Sequence, residues 1–134
     1  MIRRLRENFA EHDFCLQTGF LGTSILMPTL TENGMVDIAY RLLFQRKNPS
    51  WLYSIDHGAT TIWERWNSYM LDKGMGPSGM NSFNHYAYGV VCQWIWENVA
   101  GIKADTAEPG FKHIIMSPQI DWKLGFVKAC YHSA

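Results

Sequence analysis

Hydrophobic residues recur at helical spacing along much of the chain, and Gly, Pro and Asn interrupt the pattern. Three helices are predicted in the N-terminal part: the end of one over 3–12, one from Thr23 or Ser24 to about Asn33, and one over 35–47. A loop is predicted over 14–22. Pro28 is expected near the first turn of the second helix, and Asn33-Gly34 is expected to end it in a left-handed conformation. Asn48-Pro49 is expected to end the third.

The helix predicted over 35–47 carries an unusually broad apolar band. Its stripe is widened by further apolar side chains, and the whole set is Met35, Val36, Ile38, Ala39, Tyr40, Leu42, Leu43 and Phe44. A helix with one buried face needs a narrower stripe. The band therefore predicts a helix that packs between neighbours.

The longest helical pattern lies over Met80–Val99, where Glu97 is the one charged residue. Asn81 or Ser82 is expected to cap this helix, which places Asn84 and His85 in its first turn. Residues 50–80 are aromatic, Gly-rich and irregular, with a short helix predicted near 50–55.

The pattern changes from helical to β near residues 101–110. Residues 102–110 are polar and have the composition of a linker. Short β-branched and aromatic runs over 111–116 and 124–131 predict strands, with a turn over 118–123.

Composition and charge exclude several classes of protein. Lys+Arg and Asp+Glu each number 12, so the chain has no net field to attract nucleic acid. An apolar content of 47% excludes a disordered chain. The uncharged stretches 14–31 and 74–96 are broken by Gly, Pro, Asn, Ser or Gln, so neither predicts a membrane span. No apolar signal-peptide region follows Met1, and the compartment stays open.

The cysteines do not predict a metal site. Cys15, Cys92 and Cys130 are far apart and form no CxxC pair or zinc-type spacing with histidine. They are expected to be reduced and mostly buried. We expect no cofactor.

Aromatic residues are in surplus, at 14% of the chain with 6 Trp. The densest cluster is Gly58-Ala59-Thr60-Thr61-Ile62-Trp63-Glu64-Arg65-Trp66. Sugars are bound by this mixture, because aromatic faces cover C–H patches while carboxylate, amide and guanidinium groups bond the hydroxyls. The alternative is that Trp63 and Trp66 are core residues beside a surface Glu64–Arg65 pair.

A second polar cluster lies in Met80-Asn81-Ser82-Phe83-Asn84-His85-Tyr86-Ala87-Tyr88-Gly89. A histidine in the first turn of a helix tends to stay neutral, and neutral imidazole both donates to and accepts from a hydroxyl ligand. This pattern makes His85, with Asn84 beside it, a candidate sugar contact, although a lone histidine in an apolar helix is more often structural.

Several segments, in order, resemble a bacterial α-L-rhamnosidase of glycoside hydrolase family 78. They are Thr18-Gly19-Phe20-Leu21-Gly22-Thr23, Pro49-Ser50-Trp51, the Gly58–Trp66 run, the Met80–Gly89 run and Ala100-Gly101-Ile102. The resemblance implies an inverting hydrolase that removes terminal α-L-rhamnose from glycosides or polysaccharides. It also implies a mainly α fold, the C-terminal portion of a six-hairpin α/α toroid, followed by the first strands of a β-sandwich.

The resemblance assigns roles to particular residues. The general base falls on Glu64, and the sugar-binding histidine falls on His85. Trp51, Trp63 and Trp66 are pocket walls on chemical grounds, with Arg65 and Asn84 as further contacts. Ser24 departs from the proline expected after Gly-Thr in many relatives, which concerns a helix start and not the reaction.

The general acid that inversion requires is not marked in this chain. In the family it lies in an acidic segment upstream, and nothing marks Asp56 or Asp72 as its equivalent. We therefore expect a partial toroid over 1–101, a linker over 102–110 and the start of a sandwich over 111–134. Such a piece is expected to hydrolyse little alone, and uncovered helix faces such as Met35–Phe44 are expected to drive self-association or binding to the rest of the enzyme.

Two other functions remain open. The chain is a non-catalytic carbohydrate-binding remnant if it binds rhamnose without hydrolysis. It is a purely structural truncated product if it neither folds cooperatively nor binds a sugar. Among enzymes, another α/α-toroid glycosidase with a different sugar is also compatible with the residues.

Overall fold

The computed structural model describes residues 2–132, which divide into two compact units after Val90. Helices account for most of the regular structure, and the strands are only two or three residues long. Among the described residues, no helix is long and apolar enough to cross a bilayer.

Four helices organise the first unit. They are α1 (Ile2–Glu11), α2 (Phe20–Glu32), α3 (Val36–Leu43) and α4 (Trp51–Asp56). All four were predicted, and Ser50 caps α4 by accepting a hydrogen bond from the Tyr53 N–H at 3.1 Å. Asn33 and Gly34 end α2 as expected, with Gly34 at a φ of 69°.

Helix α2 begins earlier than the predicted Thr23 or Ser24. Gly22 therefore lies inside the helix. A Cβ at this position would come within 2.9 Å of the Thr18 side chain, so the glycine is required by packing and does not break the helix. The earlier start moves Pro28 to the middle of α2, and its expected place in the first turn was wrong. Pro28 has no N–H to donate to the Ser24 carbonyl, one helical turn earlier. Ser24 is exposed, so water can satisfy this carbonyl.

Helix α3 is shorter than predicted and is covered within the chain. It ends at Leu43, and the Gln45 side chain then accepts from the N–H groups of Arg46 and Lys47, which organises a loop in place of the last turn. Ile38, Ala39, Tyr40 and Leu42 are buried, which confirms that α3 packs between neighbours. The face we expected to be uncovered is therefore not an exposed patch.

The region predicted as irregular contains a small hairpin. Strand β1 (Tyr69–Met70) pairs antiparallel with β2 (Gly74–Met75). Gly74 has a φ of 70°, which suits a tight return of the chain.

The long helix predicted over Met80–Val99 does not form. Residues 80–86 are irregular, Ala87–Val90 is a 3-10 turn, α5 covers only Val91–Trp94, and Ile95–Val99 forms a turn of π-helix. The reason is tertiary: the Ser82 carbonyl and the His85 N–H are hydrogen-bonded to residues 61–64 and cannot serve a helix. Neither Asn81 nor Ser82 is a helix cap.

The second unit holds a strand pair. Strand β3 (Ile102–Ala104) pairs antiparallel with β4 (Ile114–Met116), with Lys103 opposite Ile115. A strand was predicted around β4, but β3 lies in the segment read as a linker. Residues 124–131 form no strand, because Leu124 ends a 3-10 turn, Gly125 takes a φ of 72° and no partner strand lies beside the segment among residues 2–132.

The cysteines are free, as expected, but their burial was predicted wrongly. Cys15 is buried, and burial raises the pKa of its thiol. Cys92 and Cys130 are exposed. The prediction rested on the average burial of cysteine, which does not decide individual positions.

Candidate active site

The Thr18–Thr23 segment fixes the start of α2 and with it the position of Phe20. The hydroxyls of Thr18 and Thr23 lie 2.8 Å apart, and Thr23 is fully buried. The Trp66 indole N–H donates to the Thr18 carbonyl at 2.9 Å. These contacts join the start of α2 to the tryptophan-rich segment.

Two irregular segments, one carrying Glu64 and the other His85, run antiparallel beside each other. The Glu64 N–H donates to the Ser82 carbonyl at 2.9 Å, and the His85 N–H donates to the Ile62 carbonyl at 2.8 Å. The Thr61 hydroxyl adds a hydrogen bond to the Phe83 carbonyl. The main chain of 61–64 thus determines where 82–85 lies.

The Glu64 carboxylate is held by the neighbouring segment. Its Oε2 accepts a hydrogen bond from the Ser82 N–H at 2.7 Å. Across the described part of the chain, no hydrogen bond or ion pair occupies Oε1, so that oxygen is available to a water or a ligand. One oxygen is thus hydrogen-bonded to the neighbouring segment and the other is available.

A cavity of about 210 Å³ opens beside this carboxylate. It is smaller than the roughly 300–1,000 Å³ of sites for drug-sized ligands, and it suits a single small ring. Its lining residues are Gly19, Phe20, Glu64, Arg65, Met80 and Tyr88.

The His85 ring stacks between two other rings. Its centroid lies 4.9 Å from that of Phe20 and 5.4 Å from that of Tyr86, with nearly parallel planes. The Ala87 N–H donates to Nδ1 at 3.3 Å, so in the neutral ring Nε2 carries the hydrogen and is the donor. His85 does not lie in the first turn of a helix, and our helix-dipole argument for its neutral form was wrong because that helix is absent.

The three predicted tryptophans lie close together, but two of them are interior. Trp51 and Trp63 are buried, and the Trp51 indole N–H donates to the Tyr88 carbonyl at 2.9 Å. Trp66 is half-buried and stacks on Tyr88 with centroids 3.8 Å apart. The space between these rings is about 10 Å³, enough for no more than one water.

Tyr88 therefore connects the packed tryptophans with the cavity. Burial raises the pKa of its phenol, so the group stays protonated at neutral pH. Arg65 is exposed on the cavity wall and makes no ion pair with Glu64 within 4 Å among residues 2–132. Asn84 is exposed near His85 in sequence, and its N–H donates to the Ser82 hydroxyl at 3.1 Å.

Sequence reasoning missed Phe20, Met80 and Tyr88 as cavity residues. All three lay inside segments that carried the family resemblance, but no role was assigned to these side chains. The described residues contain no cluster of three or more His, Cys, Asp or Glu side chains that would hold a metal ion.

Comparison with known proteins places the chain among glycoside hydrolases. A family model, the bacterial α-L-rhamnosidase six-hairpin glycosidase domain, matches residues 1–99. An α-L-rhamnosidase of Alteromonas sp. (strain LOR) is 54% identical over 116 residues, which are 87% of this chain and 12% of that protein.

Solved structures agree. The Streptomyces avermitilis α-L-rhamnosidase complexed with L-rhamnose is 49% identical with a TM-score of 0.82, covering 87% of this chain and 11% of that one. The native Aspergillus terreus α-L-rhamnosidase is 42% identical with a TM-score of 0.80, covering 87% and 13%. The chain thus spans about an eighth of the length of these relatives.

Proposed function

The chain belongs to the bacterial α-L-rhamnosidase family of six-hairpin glycosidases, and from this premise we propose that it forms one side of the sugar site of an inverting α-L-rhamnosidase. Glu64 is the general base in this proposal. The substrate is a glycoside or polysaccharide that ends in α-L-rhamnose.

The observation that carries the proposal is the held carboxylate at the cavity wall. A general base must keep one oxygen directed at the water it deprotonates. The bond from the Ser82 N–H to Oε2 fixes the group, and Oε1 stays available. As water attacks the anomeric carbon, Glu64 accepts its proton while the bond to the leaving oxygen breaks.

The other polar residues orient the sugar. His85 donates from Nε2 to a hydroxyl, since Nδ1 accepts from Ala87. Arg65, which pairs with no carboxylate of residues 2–132, offers N–H donors on the cavity wall, and Asn84 adds an exposed amide. Trp66 supports the wall by stacking on Tyr88, while Trp51 and Trp63 stabilise that wall from the interior.

The general acid is supplied from outside these residues. Inversion needs carboxyl groups roughly 6.5–9.5 Å apart on opposite faces of the sugar. Asp56 is paired with Arg46, Asp72 is exposed, and neither lines the Glu64 cavity. The isolated chain should therefore show little or no hydrolysis.

The rest of the catalytic domain also covers exposed apolar surface. Leu21 and Ile25 on α2 are 87% and 65% exposed, so this helix presents apolar surface to solvent. In the proposed architecture residues 1–101 are the C-terminal portion of an α/α toroid, 102–110 the connection and 111–134 the start of a β-sandwich. Outside that context the α2 surface would drive self-association.

The test is Glu64→Gln in the complete enzyme that contains these residues. General-base catalysis is worth about 10²–10⁴-fold, so kcat on a chromogenic α-L-rhamnoside should fall by that factor while rhamnose affinity changes little. Glu32→Gln, at an exposed glutamate at the end of α2, is the matched control and should leave kcat unchanged.

Wild-type-like turnover of Glu64→Gln would remove Glu64 from the role of base. Rhamnose binding without any hydrolysis in the wild type would instead support a carbohydrate-binding remnant.

A further inference from the structure

Ser82, whose N–H donates to the Glu64 carboxylate, follows an asparagine with a hydrogen-bonded side chain. The Asn81 Nδ2 donates to the Ser68 carbonyl at 3.3 Å. An added Cβ at Gly76 would lie 3.2 Å from this nitrogen, so a residue without a side chain leaves room for the amide. The main chain that presents the Ser82 N–H to Oε2 is therefore held one residue earlier by a side-chain contact.

Ser68 is also bonded to the residue that follows Glu64. It is fully buried, and its hydroxyl accepts a hydrogen bond from the Arg65 N–H at 3.2 Å. These contacts close a ring of five residues: Glu64, Arg65, Ser68, Asn81 and Ser82. A catalytic side chain keeps its geometry when the residues behind it are fixed by hydrogen bonds. The ring supplies such fixing on both sides of the carboxylate.

Stability alone does not explain the Asn81 side chain. Its Oδ1 is buried and has no hydrogen-bond partner among residues 2–132, and a buried polar atom without a partner costs free energy. The Ser68 carbonyl would keep a partner without Asn81, because the Gly76 N–H donates to it at 2.8 Å. An apolar side chain of similar size at position 81 would therefore keep the fold and lose only the bond to Ser68.

We propose that Asn81 is a positioning residue for Glu64: its amide keeps the neighbouring Ser82 N–H in place against the carboxylate. The inference rests on the proposed function, because Asn81 acts on the reaction only through the proposed base. Among the described residues, Asn81 is not part of the cavity wall. A displaced N–H would let the carboxylate turn away from the water it deprotonates and leave the sugar contacts unchanged.

The experiment is Asn81→Leu in the complete enzyme, assayed on a chromogenic α-L-rhamnoside. Misplacing a catalytic group by about 1 Å costs up to about 10²-fold, so kcat should fall about 10–10²-fold while KM stays close to the wild-type value. Asn67→Leu, at an exposed asparagine next to Ser68 in sequence, is the matched control and should retain kcat. The two variants should share one thermal unfolding midpoint, because Asn81→Leu removes an unpartnered acceptor together with one donor.

A double-mutant cycle with Glu64→Gln separates positioning from a general structural effect. In the Glu64→Gln background, Asn81→Leu should change the residual kcat less than about twofold, because no base remains to be positioned. A structural role would lower kcat by the same factor in both backgrounds. Ser68→Ala breaks the ring at the bond from the Arg65 N–H and should show the same dependence on Glu64.

A loss of kcat that depends on Glu64, at an unchanged unfolding midpoint, supports the proposal. A kcat in Asn81→Leu equal to that of Asn67→Leu, or an equal fall in both backgrounds, overturns this inference, whereas the fall caused by Glu64→Gln still supports the proposed function. Failure of Asn81→Leu to fold also overturns it, since the contact would then be structural. If Glu64→Gln retains wild-type turnover, the proposed function and this inference fail together.

Discussion

Alanine at position 101 would place its Cβ in the main chain of a neighbouring segment. Gly101 has a φ of 73°, and an added Cβ would lie 2.2 Å from the nitrogen and 2.4 Å from the Cα of Pro118. The same segment is tied to it, since the Ser117 N–H donates to the Gly101 carbonyl at 2.8 Å. Neither a side-chain rotation nor a small shift relieves a collision with backbone atoms.

The cost has two parts. A left-handed conformation costs a residue with a Cβ about 1–2 kcal/mol. Overpacking adds about 1–3 kcal/mol, and the free energy of unfolding should fall by about 2–5 kcal/mol in total. Gly125 separates these parts, because it has a φ of 72° and no atom of the described residues lies within 4 Å of an added Cβ. Gly125→Ala should show only the conformational part.

Hydrogen exchange measured by mass spectrometry reports how much each substitution destabilises β3 and β4. A loss of 1–2 kcal/mol raises opening about 5–30-fold, which is the expectation for Gly125→Ala. Exchange in Gly101→Ala should be at least about fivefold faster still. Equal exchange in the two variants would refute the close approach of Pro118 to Gly101.

Two further predictions concern the first unit. Gly22→Ala should lower the stability of this unit by roughly 1–3 kcal/mol in urea unfolding, because the new Cβ meets the Thr18 side chain. Gly19→Ala should cost clearly less, since no atom of residues 2–132 lies within 4 Å of its added Cβ. Equal losses would contradict the packing role of Gly22. Asp37→Asn should abolish a salt-sensitive contribution to the free energy of unfolding. This contribution arises because the hydrogen bond from Arg6 lowers the pKa of Asp37 below its usual value of 3.8. Because the folded-state pKa is lowered, wild type and variant should differ in stability above about pH 4 and converge as the pH falls through that pKa, and a difference that persists in strong acid would exclude this origin.

Sequence reasoning singled out candidate site residues where the residue chemistry was distinctive. Glu64 and His85 were singled out, and the structure joins their segments by main-chain hydrogen bonds. Phe20 and Tyr88 were missed because an aromatic ring in an apolar segment gives no sign of whether it faces a core or a cavity. The same ambiguity applies to Trp51 and Trp63, which were predicted as pocket walls and are buried.

The sequence by itself determined where most helices lie, because local interactions form them. It also showed which side chains could do chemistry. Helices α1 to α4 depend on contacts a few residues apart, such as the Ser50 cap, so their signals lie within one stretch of chain. The segment 80–86 has a helical pattern too, but its main chain bonds to residues 61–64, about twenty positions earlier. Only the tertiary structure could decide that competition, because the energy of a long-range hydrogen bond depends on where the partner lies in space. That same pairing brings the segment of His85 beside Glu64, which lines the cavity with Phe20, the ring on which His85 stacks.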